Sequence, residues 1–183
     1  MSSLATPAGR IFQKITGRET AALLAVAWLV PFLVHLAPWS GDRPLGAHLL
    51  PMFWATFVAV YCYGARAGLL AGLFAPAVNL LVTGLPAWKF LSVLSFELAV
   101  FAAVLAWAVR RAPRCWLLAP AGYLAAKAGS TLLQSATPVF GDIGAPARFF
   151  ATSVTGGAAG LVALAAINFA LVKAYPKAAG PAS

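Results

Sequence analysis

Long apolar runs, broken by short polar punctuation, set the plan of this chain. A helix needs about 20 apolar residues to cross a bilayer. Six runs approach or reach that length: Ala21–Ala37, Leu49–Tyr63, Ala65–Val82, Phe90–Val109, Trp116–Gln134 and Phe149–Val172. Each is predicted to be one membrane-spanning helix. The second and third meet at Tyr63-Gly64-Ala65, which predicts a tight hairpin. Pro76 is a candidate kink in the third, and Pro120 falls near the start of the fifth, where proline is tolerated. No repeat and no inverted pair of halves is visible along the chain.

Composition supports this division. Of 183 residues, 62% are hydrophobic and 9% are charged, against about 25% charged in soluble domains. The expected class is an all-α integral membrane protein: one compact six-helix domain over residues 21–173, with an N-terminal segment (1–20) and a tail (174–183) on the cytoplasmic side. The net charge of +9 does not call for nucleic acid, because the cations sit at helix ends. They also orient the chain. With the N-terminus inside, Arg10, Lys14, Arg18, Arg66, Arg110, Arg111, Arg114, Lys173 and Lys177 are cytoplasmic, while only Arg43, Lys89 and Arg148 are outside. Both termini are therefore expected inside. Arg10, Lys14 and Arg18 are spaced four apart, which fits either a short interfacial helix or a disordered basic tail. The run after Arg18 lacks a small-x-small cleavage site, so it reads as a span and not as a signal peptide. Cys62 and Cys115 fall at cytoplasmic helix ends, where thiols stay reduced, and without nearby histidines they make no zinc site.

Polar residues inside the apolar runs carry the functional information. Lys127 lies within the fifth span and Glu97 within the fourth. A charge at membrane depth is costly and ordinarily faces a partner in the protein interior. Glu97 is seven residues below the outer start of its run at Phe90, and Lys127 is seven below the outer end of its run at Gln134. At 1.5 Å per residue both lie about 10 Å deep, so they are expected to pair. Lys127, Ser130, Thr131 and Gln134 share one helical face. Asn79 and Thr83, Ser92 and Ser95, and Arg148, Thr152 and Thr155 add polar groups on three more helices, all in the outer half. Asn168 is the main polar residue in the inner half. A pocket open to the outside is the expectation. In it Lys127 would offer a cation to an acidic ligand group, or Glu97 an anion to a basic one. Asn79, Ser130 and Gln134 would supply neutral hydrogen bonds. A competing reading makes Glu97–Lys127 a structural lock.

The outer loops add Trp39, Trp88 and His48. These tryptophans are either interfacial belt residues or a stacking lid over a flat ligand. Small-residue pairs occur at Ala21/Ala25, Gly68/Gly72 and Gly156/Gly160, a spacing that lets helices approach closely.

The stretch from His48 to about Trp107 reads HLLPMFWATFVAVYCYGARAGLLAGLFAPAVNLLVTGLPAW and continues into FELAVF around Glu97. It resembles the substrate-binding membrane subunits (S components) of energy-coupling factor vitamin transporters. The carriers of the resemblance are the His-Leu-Leu-Pro start, the Gly-Ala-Arg-Ala-Gly-Leu-Leu-Ala-Gly hairpin and the Thr-Gly-Leu-Pro loop. The resemblance implies a six-helix, N-in and C-in protein of the bacterial cytoplasmic membrane, binding a vitamin in an outward pocket. It implies docking onto a coupling membrane subunit through an alanine-x-x-x-alanine motif, matched by Ala21 and Ala25 and, less well, by Ala71 and Ala75, and energy from ATP-binding subunits. Some members act alone, and some cobalamin-type members use a cysteine as cobalt ligand near the third-helix loop. Here Asn79 to Trp88 contains no cysteine, which leaves a first-loop histidine as the remaining candidate. The chain itself has no G-x-x-x-x-G-K-[ST] loop for ATP hydrolysis.

The expected function is thus high-affinity capture and uptake of a small water-soluble vitamin, cobalamin among the candidates. No catalytic residue, resident cofactor or structural metal is expected. Two alternatives remain. A small membrane enzyme acting on a lipid or isoprenoid needs clustered acids, yet Glu19, Asp42, Glu97 and Asp142 are scattered. A non-transporting scaffold would use the small-residue faces, but leaves the polar convergence unexplained.

Overall fold

The computed structural model describes residues 45–84, 88–137 and 143–177, with isolated helical positions at 18, 21, 22, 25, 29, 30 and 32–34. The described residues form helices and no strand: α1 (Leu45–Leu49), α2 (Pro51–Tyr63), α3 (Ala65–Thr83), α4 (Trp88–Arg111), α5 (Leu118–Ala136), α6 (Pro146–Gly156) and α7 (Ala158–Ala174). Four of the six predicted runs therefore appear as helices with ends displaced by one or two residues. Most of Ala21–Ala37, the interfacial segment at Arg10–Arg18 and the end of the tail lie outside the described residues.

The sixth run differs from its prediction. Phe149–Val172 is not one helix: α6 and α7 meet at a 61° bend. The break falls at Gly156-Gly157, where two residues without a Cβ weaken the helix and let neighbours approach. The second run starts two residues late, because Leu50 takes φ 55° between α1 and α2. Leucine rarely adopts that left-handed conformation. Its buried side chain lies where a Cβ at Gly160 would stand, so the packing against α7 holds it. By contrast, α3 runs unbroken through Pro76.

Helices α2, α4, α5 and α7 enclose the main core, built from Phe53, Phe57, Tyr61, Leu98, Phe101, Leu105, Tyr123 and Leu164. Phe53 is its aromatic hub, meeting Phe101 and Tyr123 edge-on at 5.1 and 5.0 Å. Helix α3 packs across α2 and α4 through Ala67, Ala71 and Ala75. At Gly72 an added Cβ would come within 3.2 Å of the Leu98 backbone carbonyl, so glycine there permits the close α3–α4 approach.

One end of the bundle is tied by polar contacts. The Tyr61 hydroxyl donates to the Tyr175 carbonyl at 2.9 Å. The Asn168 side chain accepts from the Ala119 N–H at 2.8 Å and donates to the Cys115 carbonyl at 3.2 Å. The first of these bonds satisfies one of the backbone donors that a helix start leaves open. The same end carries Arg66, Arg110, Arg111, Arg114 and Lys173, all exposed.

Lys177 stands 4.8 Å above the Tyr61 ring. Burial lowers its pKa below the ordinary 10.5, opposed by the neighbouring Cys62 thiolate. The unfolded chain therefore keeps this proton to higher pH than the folded protein. The cost of burying the charge is present in full below the folded pKa and fades as pH rises towards 10.5. Over that alkaline window, wild type should gain stability relative to Lys177→Met in pH-dependent unfolding. Parallel profiles would contradict this.

Several polar side chains share the interior with the apolar core, and large apolar side chains face outward. Glu97, Asn79, Ser130, Thr131, Gln134 and Asn168 are buried, while Leu81, Phe90, Leu132 and Val162 are each at least 70% exposed. Phe90–Arg111 is long and apolar enough to cross a membrane, with mean hydropathy 2.1. Only 33% of its most apolar window is buried, whereas the core helix of a soluble protein is mostly buried. Trp88 and Trp107 on α4 are both exposed, and their separation of 19 positions spans about 28 Å. That matches the roughly 30 Å of a bilayer core.

Candidate functional site

Glu97 and Lys127 meet. Glu97 lies nine residues after the start of α4 and Lys127 nine before the end of α5. In adjacent antiparallel helices this brings them to one level. The Lys127 ammonium donates to both carboxylate oxygens, at 2.8 Å to Oε1 and 2.7 Å to Oε2. Ser130, one turn further along α5, donates its hydroxyl to Oε1 at 2.7 Å. The Glu97 side chain is 4% exposed and that of Lys127 17%. The carboxylate is thus covered on both oxygens by three hydrogen bonds, and Lys127 is the more open side chain of the pair.

Tyr123, one turn before Lys127, completes the surroundings. Its ring centroid is 5.7 Å from the ammonium, within the range of a cation–π attraction. Its hydroxyl makes a long 3.5 Å contact to the Ser153 carbonyl of α6. Four residues form this cluster, from two helices, with its charges balanced. The i, i+4 spacing of Tyr123 and Lys127 was the available sequence signal for the tyrosine.

The broken helix lies at the same level of the bundle. Asn168 and Ala119 are bonded at the end that carries Arg66 and Arg110. Eleven residues away from that end along each helix, about 16 Å, come Gly157 just before α7 and Ser130 on α5. A Cβ at Gly157 would stand 2.8 Å from the Tyr123 hydroxyl, so only glycine fits beside the cluster. Ending α6 here frees backbone carbonyls, and His48 takes one of them: its Nδ1 is 3.0 Å from the Gly156 oxygen. The imidazole must hold its proton on Nδ1 to donate. His48→Ala should cost about 1–2 kcal/mol, read by reversible unfolding, and should speed amide exchange around Gly156 and Gly157. Unchanged exchange there would remove His48 as the support of the break.

The remaining predicted residues are dispersed. Gln134 is buried one turn outward from Ser130 on α5. Asn79 is buried on α3, seven residues (about 10 Å) outward from Gly72, which faces Leu98 next to Glu97. It therefore stands above the ion pair. Trp88 opens α4 and is 74% exposed. Ala21 and Ala25 are helical and exposed. Trp39 lies outside the described residues. An open recess of about 370 Å³ is lined by Ile143, Gly144, Ala145, Arg148, Phe149 and Thr152, around the start of α6. Its lining does not include the ion pair. No group of three His, Cys, Asp or Glu side chains poised for a metal occurs among the described residues. Neither models of known protein families, nor characterised proteins, nor solved structures match the chain.

Proposed function

We propose that this chain is a six-span receptor of the bacterial cytoplasmic membrane, with both termini inside. In this reading it captures a small water-soluble vitamin or related micronutrient in the outer half of its bundle and passes it inward. The observation that carries the reading is the buried Glu97–Lys127 ion pair between two helices beneath an apolar exterior. Intramembrane charges of this kind mark ligand or ion pathways more often than passive packing. The helix break at the same level adds support, because interrupted helices at mid-membrane are a recurrent means of building a polar binding site. Clustering of Arg66, Arg110, Arg111, Arg114 and Lys173 at the opposite end favours that end as cytoplasmic.

Passage inward needs an energy source. A coupling membrane subunit with ATP-binding subunits is the proposed partner set, reached through the exposed Ala21 and Ala25; solitary action is the alternative. Cobalamin stays one candidate, without a cysteine ligand in the Asn79–Trp88 stretch. The rival scaffold reading treats the pair as a lock, and a lock predicts no ligand. The test is a thermal-shift and uptake screen of vitamins, comparing wild type with the double variant Glu97→Gln/Lys127→Met. The receptor reading requires one compound that stabilises wild type and whose uptake the double variant abolishes. A folded wild type indifferent to every compound contradicts it.

A further inference from the structure

The ion pair restricts what kind of chemical group can dock on it. We infer that the group a ligand presents to Lys127 is an uncharged hydrogen-bond acceptor, such as a carbonyl, an amide or a heterocyclic nitrogen. This inference rests on the receptor reading above and narrows it.

Glu97 has no free face: Oε1 receives Lys127 and Ser130, Oε2 receives Lys127, and the side chain is 4% exposed. A ligand amine would have to displace Lys127 from that carboxylate. The displaced ammonium would then be left without its counter-charge in the apolar interior, which is strongly unfavourable. Lys127 has three N–H donors and directs two contacts at Glu97, with 17% of its side chain accessible. The third donor is the one that Glu97 does not take, and in this proposal a ligand meets the ammonium there. A carboxylate placed there would be a second anion beside one cation, close to the oxygens of Glu97. The site would carry an uncompensated negative charge in a low-dielectric interior. A neutral acceptor takes the third donor and leaves the charge balance unchanged. The sequence alone allowed an acidic group on Lys127 or a basic one on Glu97; the closed, neutral pair argues against both.

Arg148 is a separate cation, on the lining of the recess at the start of α6. An acidic ligand held there would not respond to the charge of Glu97, which separates the two sites experimentally.

The test uses ring-matched probes on the full chain purified in detergent, followed by calorimetry. Nicotinamide, nicotinate and 3-(aminomethyl)pyridine form one series; biotinamide, biotin and the corresponding amine form another. In wild type the amide should bind at least about tenfold more tightly than its acid or amine. Glu97→Gln leaves Lys127 uncompensated, and there the acid should overtake the amide by a comparable factor. If the variant does not fold, the wild-type ranking alone decides. An acid or amine that binds wild type best overturns the inference and leaves the receptor reading standing. An amide preference that persists unchanged in folded Glu97→Gln also overturns it, because the preference then has another origin. Failure of both series to bind wild type removes the inference together with a receptor for such compounds.

Discussion

Lys127→Met alone is expected to destabilise the protein by about 3–5 kcal/mol, whereas Lys127→Met combined with Glu97→Gln should recover most of that loss. The single change strands a carboxylate that is 4% exposed and leaves it one serine hydroxyl in place of three donors. The double change leaves a neutral amide that still accepts from Ser130. The coupling between the two sites should therefore be large and opposite in sign to simple addition. Reversible unfolding in mixed micelles measures it. The double variant also separates structure from function: it should be folded yet unable to retain ligand. Additive single effects would mean that the two groups do not form a pair in the folded protein.

Asn168→Leu should cost about 2–4 kcal/mol, because it strips partners from two backbone groups at once. The Ala119 N–H and the Cys115 carbonyl both bond to this one buried amide. Leucine fills the space but offers neither donor nor acceptor. The loss should be local at first: amide exchange at Ala119 rises before that of the α2–α4 core, since Asn168 satisfies an otherwise open donor at the start of α5. Asn168→Asp retains the acceptor for Ala119 and should protect that amide better than leucine does. A leucine variant as stable as wild type, with Ala119 still protected, would mean that this bridge is not formed.

The helices were legible because apolar length and charge spacing are strong signals. Glu97 and Lys127 were legible as neighbours because equal depth on sequential helices leaves few alternatives, and the pair closes at 2.7 Å. The break at Gly156-Gly157 was not. Hydropathy sees Phe149–Val172 as one apolar run, and glycine pairs also occur in continuous membrane helices. What ends the helix here is tertiary: His48, 108 residues away, donates to the Gly156 carbonyl, and Tyr123 occupies the space beside Gly157. The role of Asn168 was hidden for the same reason. Its polarity stood out in the inner half, but its partners, Ala119 at the start of α5 and Cys115 in the connection before it, lie 49 and 53 residues earlier. Of the expected stacking lid, Trp39 lies outside the described residues and Trp88 is exposed at the start of α4.

The most direct test of the central claim is native mass spectrometry of the protein released from lipid nanodiscs made from its own membrane. A polar cluster built to hold a nutrient predicts one small molecule retained per wild-type chain and lost from the folded Glu97→Gln/Lys127→Met variant. A wild-type chain that emerges with no small molecule, or a double variant that keeps the same one, would contradict it.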